Sequence, residues 1–251
     1  MQKTNYGQIA RTYNKRYNSD YLPNVGIELK QLIAEKSCNN ILEVGCGTAK
    51  WIQSLDYKNL NVLGMDLSFE MLKIPKSDWH DLKLLNADAN YIPLKDNFFD
   101  LVFCVNAIHH FPDKALFLKE CNRILSKNGI IAVFGVDPHV DKDWYVYKYF
   151  NGVYENDLKR FLSNDQLKEL LSQNRFTNIN IKTIEVVSGK RIGAEVLSDP
   201  FLEKHSNSQL ANLTDSEYQS GINKLKARIE KDPGTGFITS VIFYLISATK
   251  S

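Results

Sequence analysis

The stretch ILEVGCGTAKW, Ile41–Trp51, decides how this chain of 251 residues folds. A short apolar run that includes Glu43 continues into the pattern Gly45-x-Gly47 and then into a helix-forming segment. In such a strand-to-helix turn the glycines let the backbone approach a ligand closely, and the first N–H groups of the helix are free to bind it. We therefore predict a cofactor site at the carboxyl end of a first strand. Paired glycines also serve ordinary turns, so the prediction needs support from the rest of the chain.

Two details of this stretch restrict the kind of cofactor. The dinucleotide fingerprint has a third glycine for close packing of helix on strand, and Lys50 occupies that position here. Nicotinamide and flavin dinucleotides are therefore disfavoured. Glu43, two residues before Gly45, would face the crevice and attract a ligand that has an ammonium group. The alternative is that Glu43 caps the turn.

Short apolar runs alternate with helix-period segments along most of the chain, which is typical of a parallel sheet covered on both faces. The pattern predicts an α/β fold with seven strands at 40–44, 61–66, 82–88, 99–105, 129–136, 178–187 and 236–249. It predicts helices at 24–36, 48–56, 68–74, 113–126, 141–151, 163–174 and 214–231. We expect Asp113 to open the fourth helix, with Gly129 left-handed after its last turn, and we expect caps at Ser163 and Thr214.

The charges are nearly balanced, with 31 basic and 29 acidic residues and a formal charge of +2. Such a chain has no long-range field that favours nucleic acid or an anionic membrane. The N-terminal segment lacks the apolar core of a secretory signal, and no apolar run reaches the ~18 residues of a membrane span. We expect a soluble, cytoplasmic protein with a small-molecule partner. The cysteines are widely spaced, which argues against disulfides and zinc: Cys38, Cys46, Cys104 and Cys121.

Acids end the second and third predicted strands as well. Asp66 follows Gly47 by 19 residues, close to the spacing of about 20 at which an acid binds a ribose in βαβ nucleotide sites. Asp66 could instead cap the helix that begins near Ser68. Asp88 ends the third strand. Three successive strands with an acid at the same sheet edge favour a nucleoside site over three separate caps.

Four blocks together resemble the successive motifs of class I S-adenosylmethionine-dependent methyltransferases, in particular the small-molecule, ubiquinone-biosynthesis-like group. The blocks are ILEVGCGTAKW, VLGMDLSFEML, LLNADANYIPLKDNFFDLVFCVNAIHHFPD and KECNRILSKNGIIAVF. The resemblance covers about residues 5–136. It implies a Rossmann-like, doubly wound, mostly parallel sheet whose last strand is antiparallel. It also implies S-adenosylmethionine as cofactor and S-adenosylhomocysteine as product.

The resemblance further implies roles for single residues. The methionine end of the cofactor would lie against the first turn, formed by Glu43, Gly45, Cys46 and Gly47. Asp66 would bind both ribose hydroxyls. The adenine would contact Leu67, Met71, Asp88 and Ala89, and the pocket would be closed by Asn106 and Ala107. In the N-terminal segment Tyr6, Tyr13 or Arg16 would fold over the cofactor, or these side chains would belong to an amphipathic helix with aromatic packing.

Methyl transfer from a sulfonium is an in-line displacement, so the protein mainly aligns donor and acceptor and excludes water. It requires neither a metal nor a nucleophilic side chain. An oxygen or nitrogen acceptor can need a base, and His109 or His110 after the fourth strand would lie where the acceptor binds. The alternative is that these imidazoles only anchor the loop.

The part after residue 136 is less diagnostic and would recognise the acceptor. Its aromatic residues from Trp144 to Tyr154 favour an apolar or aromatic acceptor, although aromatic residues at helical spacing often form core. Residues 188–235 would form a helical insertion that serves either as a lid or substrate-binding region or as an added helical layer. Residues 1–37 would form an N-terminal helical cap. Both would belong to one domain of residues 1–251. Four basic residues could bind an acceptor anion or form a solvated face: Lys190, Arg191, Lys204 and His205.

Two further classes of function stay open. A methyltransferase for RNA or protein would predict a basic stripe with interleaved aromatics and an added binding domain, and neither is evident. A catalytically silent cofactor-binding protein is disfavoured by the intact glycine turn and the three acids. The sequence leaves the acceptor, the methylated atom and the oligomeric state open.

Overall fold

The structure is a computed structural model, and it describes residues 22–55, 59–78, 81–204 and 207–251. The strands are β1 Asn40–Val44, β2 Asn61–Asp66, β3 Lys83–Asn86, β4 Phe99–Val105, β5 Leu125–Val136, β6 Phe176–Ile192 and β7 Gly236–Lys250. The helices are α1 Pro23–Glu35, α2 Lys50–Gln53, α3 Phe69–Asp78, α4 Lys114–Ile124, α5 Tyr145–Tyr149, α6 Val153–Arg160, α7 Asn164–Gln173, α8 Ser208–Ala211 and α9 Asp215–Lys231. Short 3₁₀ turns span Ile108–His110, Gly193–Ser198 and Pro200–Leu202.

The strands form one seven-stranded sheet with the order β3-β2-β1-β4-β5-β7-β6. β1 pairs in parallel with β2 and β4, whereas β5 pairs in parallel with β4 and antiparallel with β7. The predicted fold class, a Rossmann-like and mostly parallel sheet with an antiparallel last strand, is confirmed. Because the chain order reverses between β1 and β4, the carboxyl ends of these strands form the switch point at which open α/β sheets bind ligands.

The central strands are buried on both faces because nearly all of their residues are apolar. In β4 the side chains of Leu101, Val102 and Phe103 are fully buried, as are Ala132 and Phe134 in β5. One side of α4 completes this core with Phe117, Leu118, Cys121 and Ile124. The four cysteines are all buried free thiols.

The start of α4 agrees with the prediction, but the junction between the end of α4 and β5 does not. Asp113 does cap α4, accepting from the Leu116 N–H at 2.9 Å. The helix ends at Ile124, β5 begins at once, and the left-handed residue is Asn128 with φ 63° rather than Gly129. Gly129 is required for another reason: a Cβ there would lie 2.9 Å from the Ser126 carbonyl oxygen.

The predicted helix 141–151 is also different in the structure. It is replaced by two short helices, α5 and α6, which are separated at Gly152 with φ 77°. Glycine adopts this left-handed conformation without strain, so it ends one helix and starts another. The capping boxes at Ser163 of α7 and at Thr214 of α9 are confirmed.

The described residues separate into two compact units. The sheet unit comprises Leu22–Val136, Leu162–Glu185 and Phe243–Ser251. The helical unit comprises Asp137–Phe161 and Val186–Ile242, which include the predicted insertion 188–235. It has a hydrophobic core of its own that includes Val146, Phe150, Val196, Leu210 and Leu225. A lid role for the insertion, and the division into one domain with an N-terminal cap, stay predictions.

Among the described helices, none is both long enough and apolar enough to span a bilayer.

Replacing Gly221 with alanine tests the packing of the helical unit. A Cβ at this α9 position would lie 2.3 Å from the Phe150 ring, and the strain should exceed the gain of ~1 kcal/mol in helix propensity. We expect Gly221→Ala to lower the free energy of unfolding by about 1–2 kcal/mol in a denaturant titration. The control is Ser220→Ala on the exposed side of α9, which should stay within about 0.5 kcal/mol of wild type. Equal stability of both variants would contradict the packing.

Candidate functional site

The turn after β1 packs against the segment that follows β4. Gly45 and Gly47 both have positive φ, 73° and 54°. A Cβ on Gly45 would lie 2.5 Å from the Cβ of Ala107 and 3.5 Å from the Phe111 ring. Glycine is therefore required at position 45 by its backbone conformation and by this close approach.

The Asp66 carboxylate connects this turn to the start of α3. Its Oδ2 atom accepts from the Gly47 N–H at 2.8 Å, and its Oδ1 atom accepts from the Ser68 N–H at 2.7 Å. Burial raises the pKa of Asp66, and the N–H groups of Ser68 and Gly47 oppose that shift. The carboxylate thus holds the residue before α3, while the Ser68 hydroxyl accepts from the Met71 N–H at 3.4 Å in the capping position. Asp66 lies at the sheet edge where a ribose acid is expected.

The N–H groups of the glycine turn are used within the protein. Those of Gly45 and Cys46 donate to the Met65 carbonyl at 2.7 and 3.0 Å, and that of Ala49 donates to the Cys46 carbonyl at 2.8 Å. The predicted helix 48–56 is reduced to the four residues of α2, after Ala49 in the left-handed conformation. The N–H groups of Gly45, Cys46, Gly47 and Ala49 are therefore bonded within the protein, and the expectation of ligand-binding N–H groups in the first turn of α2 stays a prediction.

Glu43 is fully buried at the end of β1. Neither carboxyl oxygen has a hydrogen-bond partner among the described residues. The alternative that Glu43 caps the turn through its own backbone is not tested by this observation. Burial raises the pKa of Glu43 well above its usual range, and the nearby Asp66 carboxylate raises it further, against a smaller effect of the Ile52 N–H. The site thus contains a buried acid whose neutral form is favoured by its surroundings.

The residues predicted to contact adenine follow β2 and β3, which are neighbouring strands. Leu67 is half exposed, whereas Met71 and Ala89 are buried. Asp88 accepts from the Asn90 N–H at 2.9 Å through Oδ1. The structure therefore brings these side chains to one edge of the sheet.

Two asparagines were missing from the predicted site. Asn86 donates through Nδ2 to the carbonyls of Asp66 and Leu67, both at 2.9 Å, and so joins the ends of β2 and β3. Asn90 donates to the Asp113 carbonyl and so joins the loop after β3 to the start of α4. Their place in the run NADAN, which surrounds the strand-end acid, was the available signal.

The segment after β4 contains the predicted histidines. Asn106, with φ 49°, donates its N–H to the Phe134 carbonyl at 2.9 Å and ends the strand. The rings of His109 and His110 are 4.0 Å apart on the following 3₁₀ turn. His109 is buried and His110 is half-buried. Both imidazoles lie two to three residues from Ala107, which packs on Gly45.

Other predicted residues fall into three groups. Tyr6, Tyr13, Arg16 and His205 lie outside the described residues. In the helical unit Arg191 pairs with Asp199 at 3.0 Å, and Lys204 pairs with Asp215. These pairings favour a structural or solvated role for the two cations. Tyr145 is buried and donates its hydroxyl to Asp199 at 3.0 Å, so it belongs to the core.

Comparison with known proteins identifies the family. A family model described as a methyltransferase domain matches residues 42–133, all within the sheet unit. The demethylmenaquinone methyltransferase of Staphylococcus saprophyticus is 31% identical over 173 residues, which cover 59% of this chain and 74% of the relative. The chain belongs to the class I S-adenosylmethionine-dependent methyltransferases. The resemblance drawn from the four sequence blocks is thereby confirmed.

Other similarities agree with this family. The malonyl-[acyl-carrier protein] O-methyltransferase of Hamiltonella defensa is 36% identical over 150 residues, 58% of this chain and 56% of that protein. The fold is similar to the crystal structure of a SAM dependent methyltransferase from Archaeoglobus fulgidus, with a TM-score of 0.58, 18% identity and coverage of 95% of this chain and 98% of that one. The chain is a methyltransferase, and S-adenosylmethionine is the methyl donor of its family.

Replacing Glu43 with glutamine tests the protonation of the buried acid in the free methyltransferase. A raised pKa in the folded state means that the stability contributed by the neutral carboxyl is complete at low pH and is lost as the pH rises through the folded pKa. As the pH rises above the pKa of an unfolded glutamate, about 4.3, the wild type should therefore lose free energy of unfolding relative to Glu43→Gln, by up to ~1.4 kcal/mol per pH unit. Denaturant titrations at several pH values measure this difference, and a constant difference would contradict the assignment.

Proposed function

We propose that the chain binds S-adenosylmethionine at the carboxyl ends of β1, β2 and β3 and transfers its methyl group to a small apolar or aromatic acceptor. The supporting observation is Glu43, a buried carboxyl without a partner among the described residues. A ligand with an ammonium group satisfies such an acid, because the pair gains both charge compensation and hydrogen bonds. A cytoplasmic location stays a prediction.

The site fits the cofactor in two further respects. Position 45 has no side chain, so the backbone stays accessible where a Cβ would also collide with Ala107. Asp66, at the end of β2, has four lone-pair positions on its two oxygens, and two N–H groups occupy only part of that capacity. Two ribose hydroxyls can therefore donate to the same carboxylate.

The remaining residues would complete the cofactor site. Leu67 and Met71 would pack on the adenine, Asp88 and the backbone of Ala89 would bind its amino group, and Asn106 with Ala107 would close the pocket. Leu67 supports this role because its apolar side chain is 50% exposed directly after Asp66. An exposed leucine side chain is stabilised when a ligand ring covers its apolar surface.

S-adenosylmethionine supplies, when bound, a methyl group on a positively charged sulfur. The chain holds the donor by its two ends, through Glu43 and Asp88, and so fixes the direction in which the methyl group points. β1 is buried from Ile41 to Val44, so this strand would shield its side of the bound donor from water. An acceptor proton would be removed by His110, which is more exposed than His109.

The helical unit would select the acceptor. The residues that match the family model all lie in the sheet unit, so the model does not describe the helical unit, which we assign to recognition of the acceptor. Its half-buried rings of Trp144 and Tyr147 are 5.2 Å apart, and that of Tyr154 is 4.9 Å from Tyr147. Such rings bind apolar or aromatic molecules well. Demethylmenaquinone, which the staphylococcal relative is named for, is one candidate to screen.

Calorimetric titration with S-adenosylhomocysteine tests the cofactor site. Asp66→Ala should weaken binding by about 2 kcal/mol, because it removes the acceptor of two hydroxyls and of the Gly47 N–H. The matched control is Asp100→Ala at the opposite sheet edge, where Asp100 Oδ2 accepts from the N–H groups of Asn39 and Asn40, both at 2.9 Å. Asp100→Ala should lower stability and leave affinity unchanged. No binding by wild type at millimolar ligand would end the proposal.

Replacing His110 with glutamine tests the base. Once a methyl-transfer screen has identified an acceptor, His110→Gln should lower kcat by about 10²-fold or more and remove the acidic limb of the pH–rate profile. The acceptor KM should change little, because glutamine keeps the polarity of the position. An unchanged kcat and pH profile would mean that His110 only anchors the loop and is not the base.

Replacing Trp144 with alanine tests the acceptor surface. We expect Trp144→Ala to raise the acceptor KM several-fold through lost apolar contact. The neighbouring control is Tyr145→Phe, which removes the hydrogen bond to Asp199 within the core and should cost about 1–3 kcal/mol of stability without altering that KM. An unchanged KM in Trp144→Ala would argue against recognition by these rings.

A further inference from the structure

The segment between β3 and β4, residues 87–98, contains neither helix nor strand, yet it includes Asp88 of the candidate site. A segment of this length stays ordered only if its backbone groups have partners elsewhere in the protein. Its first turn is closed by Asp88, whose Oδ1 accepts from the Asn90 N–H at 2.9 Å and whose carbonyl accepts from the Tyr91 N–H at 3.0 Å. The buried Asn90 side chain donates to the Asp113 carbonyl at the start of α4. The turn that includes Asp88 therefore ends at Tyr91 and is bonded to α4.

Two side chains of α4, Glu120 and Arg123, hold the residues that follow this turn. Ile92 donates its N–H to Glu120 Oε2 at 2.9 Å, and its carbonyl accepts from Arg123 Nη2 at 2.7 Å. Arg123 Nη1 donates to the Leu94 carbonyl at 2.9 Å. Within the pair, Arg123 Nε and Nη2 donate to the two Glu120 oxygens at 2.9 and 2.8 Å. We call Glu120 and Arg123 the clasp, because together they bind both backbone groups of Ile92, the residue directly after the turn.

The clasp depends on the shape of the guanidinium group. Arg123 donates from three nitrogens in one plane to two carbonyls and one carboxylate, which the point charge of a lysine cannot reproduce. Arg123 also pairs with Asp96 at 2.6 Å, but the Asp96 side chain is 64% exposed, and a surface ion pair of this kind contributes little. The hydrogen bonds to Ile92 and Leu94 are therefore the part of the network that fixes the segment.

We propose that Arg123 is a positioning residue for the nucleobase of the cofactor and that the clasp sets the preference of the site for adenine. The inference rests on the proposed function, since it assumes that Asp88 accepts from the adenine amino group. Arg123 acts through the turn and not on the ligand: it fixes Ile92, and the Asp88 carboxylate then keeps one direction. A hydrogen bond weakens steeply when donor and acceptor are misaligned. A turn released at Ile92 thus loses the contact that distinguishes adenine from other bases.

A purely stabilising clasp would affect all nucleoside ligands alike, whereas a positioning clasp affects only those with the amino group. S-adenosylhomocysteine and S-inosylhomocysteine separate the two roles, because they differ only in the base. Hypoxanthine has a carbonyl oxygen where adenine has its amino group, so it cannot donate there to Asp88. We expect wild type to bind S-adenosylhomocysteine at least about tenfold more tightly, because the analogue lacks one charge-assisted hydrogen bond.

Calorimetric titration of Arg123→Ala with both ligands tests the proposal. The affinity for S-adenosylhomocysteine should fall about tenfold and that for S-inosylhomocysteine should stay within about threefold of wild type, so that the preference for adenine is lost. Arg123→Lys should lose most of the preference as well. Glu120→Gln is milder, because glutamine can still accept from the Ile92 N–H, and it should shift the preference in the same direction by less. A denaturant titration establishes that each variant is folded, and the two milder variants give the same test if Arg123→Ala does not fold.

Two controls separate the clasp from other ion pairs. Asp96→Asn removes only the exposed pair with Arg123 and should leave both affinities within about twofold of wild type. Arg228→Ala, which removes an i,i+4 pair with Asp232 in α9, should keep the wild-type preference. An undiminished preference in the Arg123 variants, or an equal loss of affinity for both ligands, would overturn the inference alone. Equal binding of both ligands by wild type would also overturn it and leave the cofactor site in place. Binding of neither ligand by wild type would overturn the proposed function and the inference together.

Discussion

The hydrogen bonds that Asp66 accepts from two backbone N–H groups are the contacts on which the site depends. One carboxylate fixes the turn after β1 through Gly47 and the start of α3 through Ser68. The two segments belong to different strand-to-helix connections, and the first of them leads into a helix, α2, of only four residues. Removing these contacts would therefore release two loops at once. The same carboxylate has lone pairs left for a ligand, so one side chain can both hold the two loops in place and bind the cofactor.

Close to Asp66, the sheet edge holds groups that disfavour a second negative charge. The Asp66 charge disfavours a charge on Glu43, and the nearby Cys46 and Cys104 contribute only thiols. An unpartnered buried acid lowers stability, so its presence at a ligand edge is best explained by a ligand that compensates it. Two buried acids of the helical unit, Asp157 and Asp199, have arginine partners and show that the chain can satisfy such a group internally. The contrast makes Glu43 informative about the ligand rather than about the fold.

Much of the fold and part of the candidate site could be predicted from the sequence, for physical reasons. Mostly apolar runs such as NILEV and FDLVFCV allow little except buried parallel strands, and the capping boxes at Ser163 and Thr214 are local signals. The failures came from tertiary context. The length of α2 depends on hydrogen bonds from the turn to Met65, and the role of Gly129 depends on the approach of the Ser126 carbonyl. Asn86 and Asn90 act between loops that are distant in sequence. Tyr145 is among the aromatic residues that the sequence assigns to acceptor binding, although its hydroxyl donates a hydrogen bond inside a core.

The central claim is that the cofactor binds between Glu43 and Asp88 at the carboxyl ends of the first three strands. A crystal structure with S-adenosylhomocysteine tests it most directly. The account predicts the ligand amino nitrogen within hydrogen-bond distance of a Glu43 carboxyl oxygen, both ribose hydroxyls on Asp66 and the adenine beside Leu67. A ligand bound elsewhere, or one that leaves Glu43 without a partner, would contradict it.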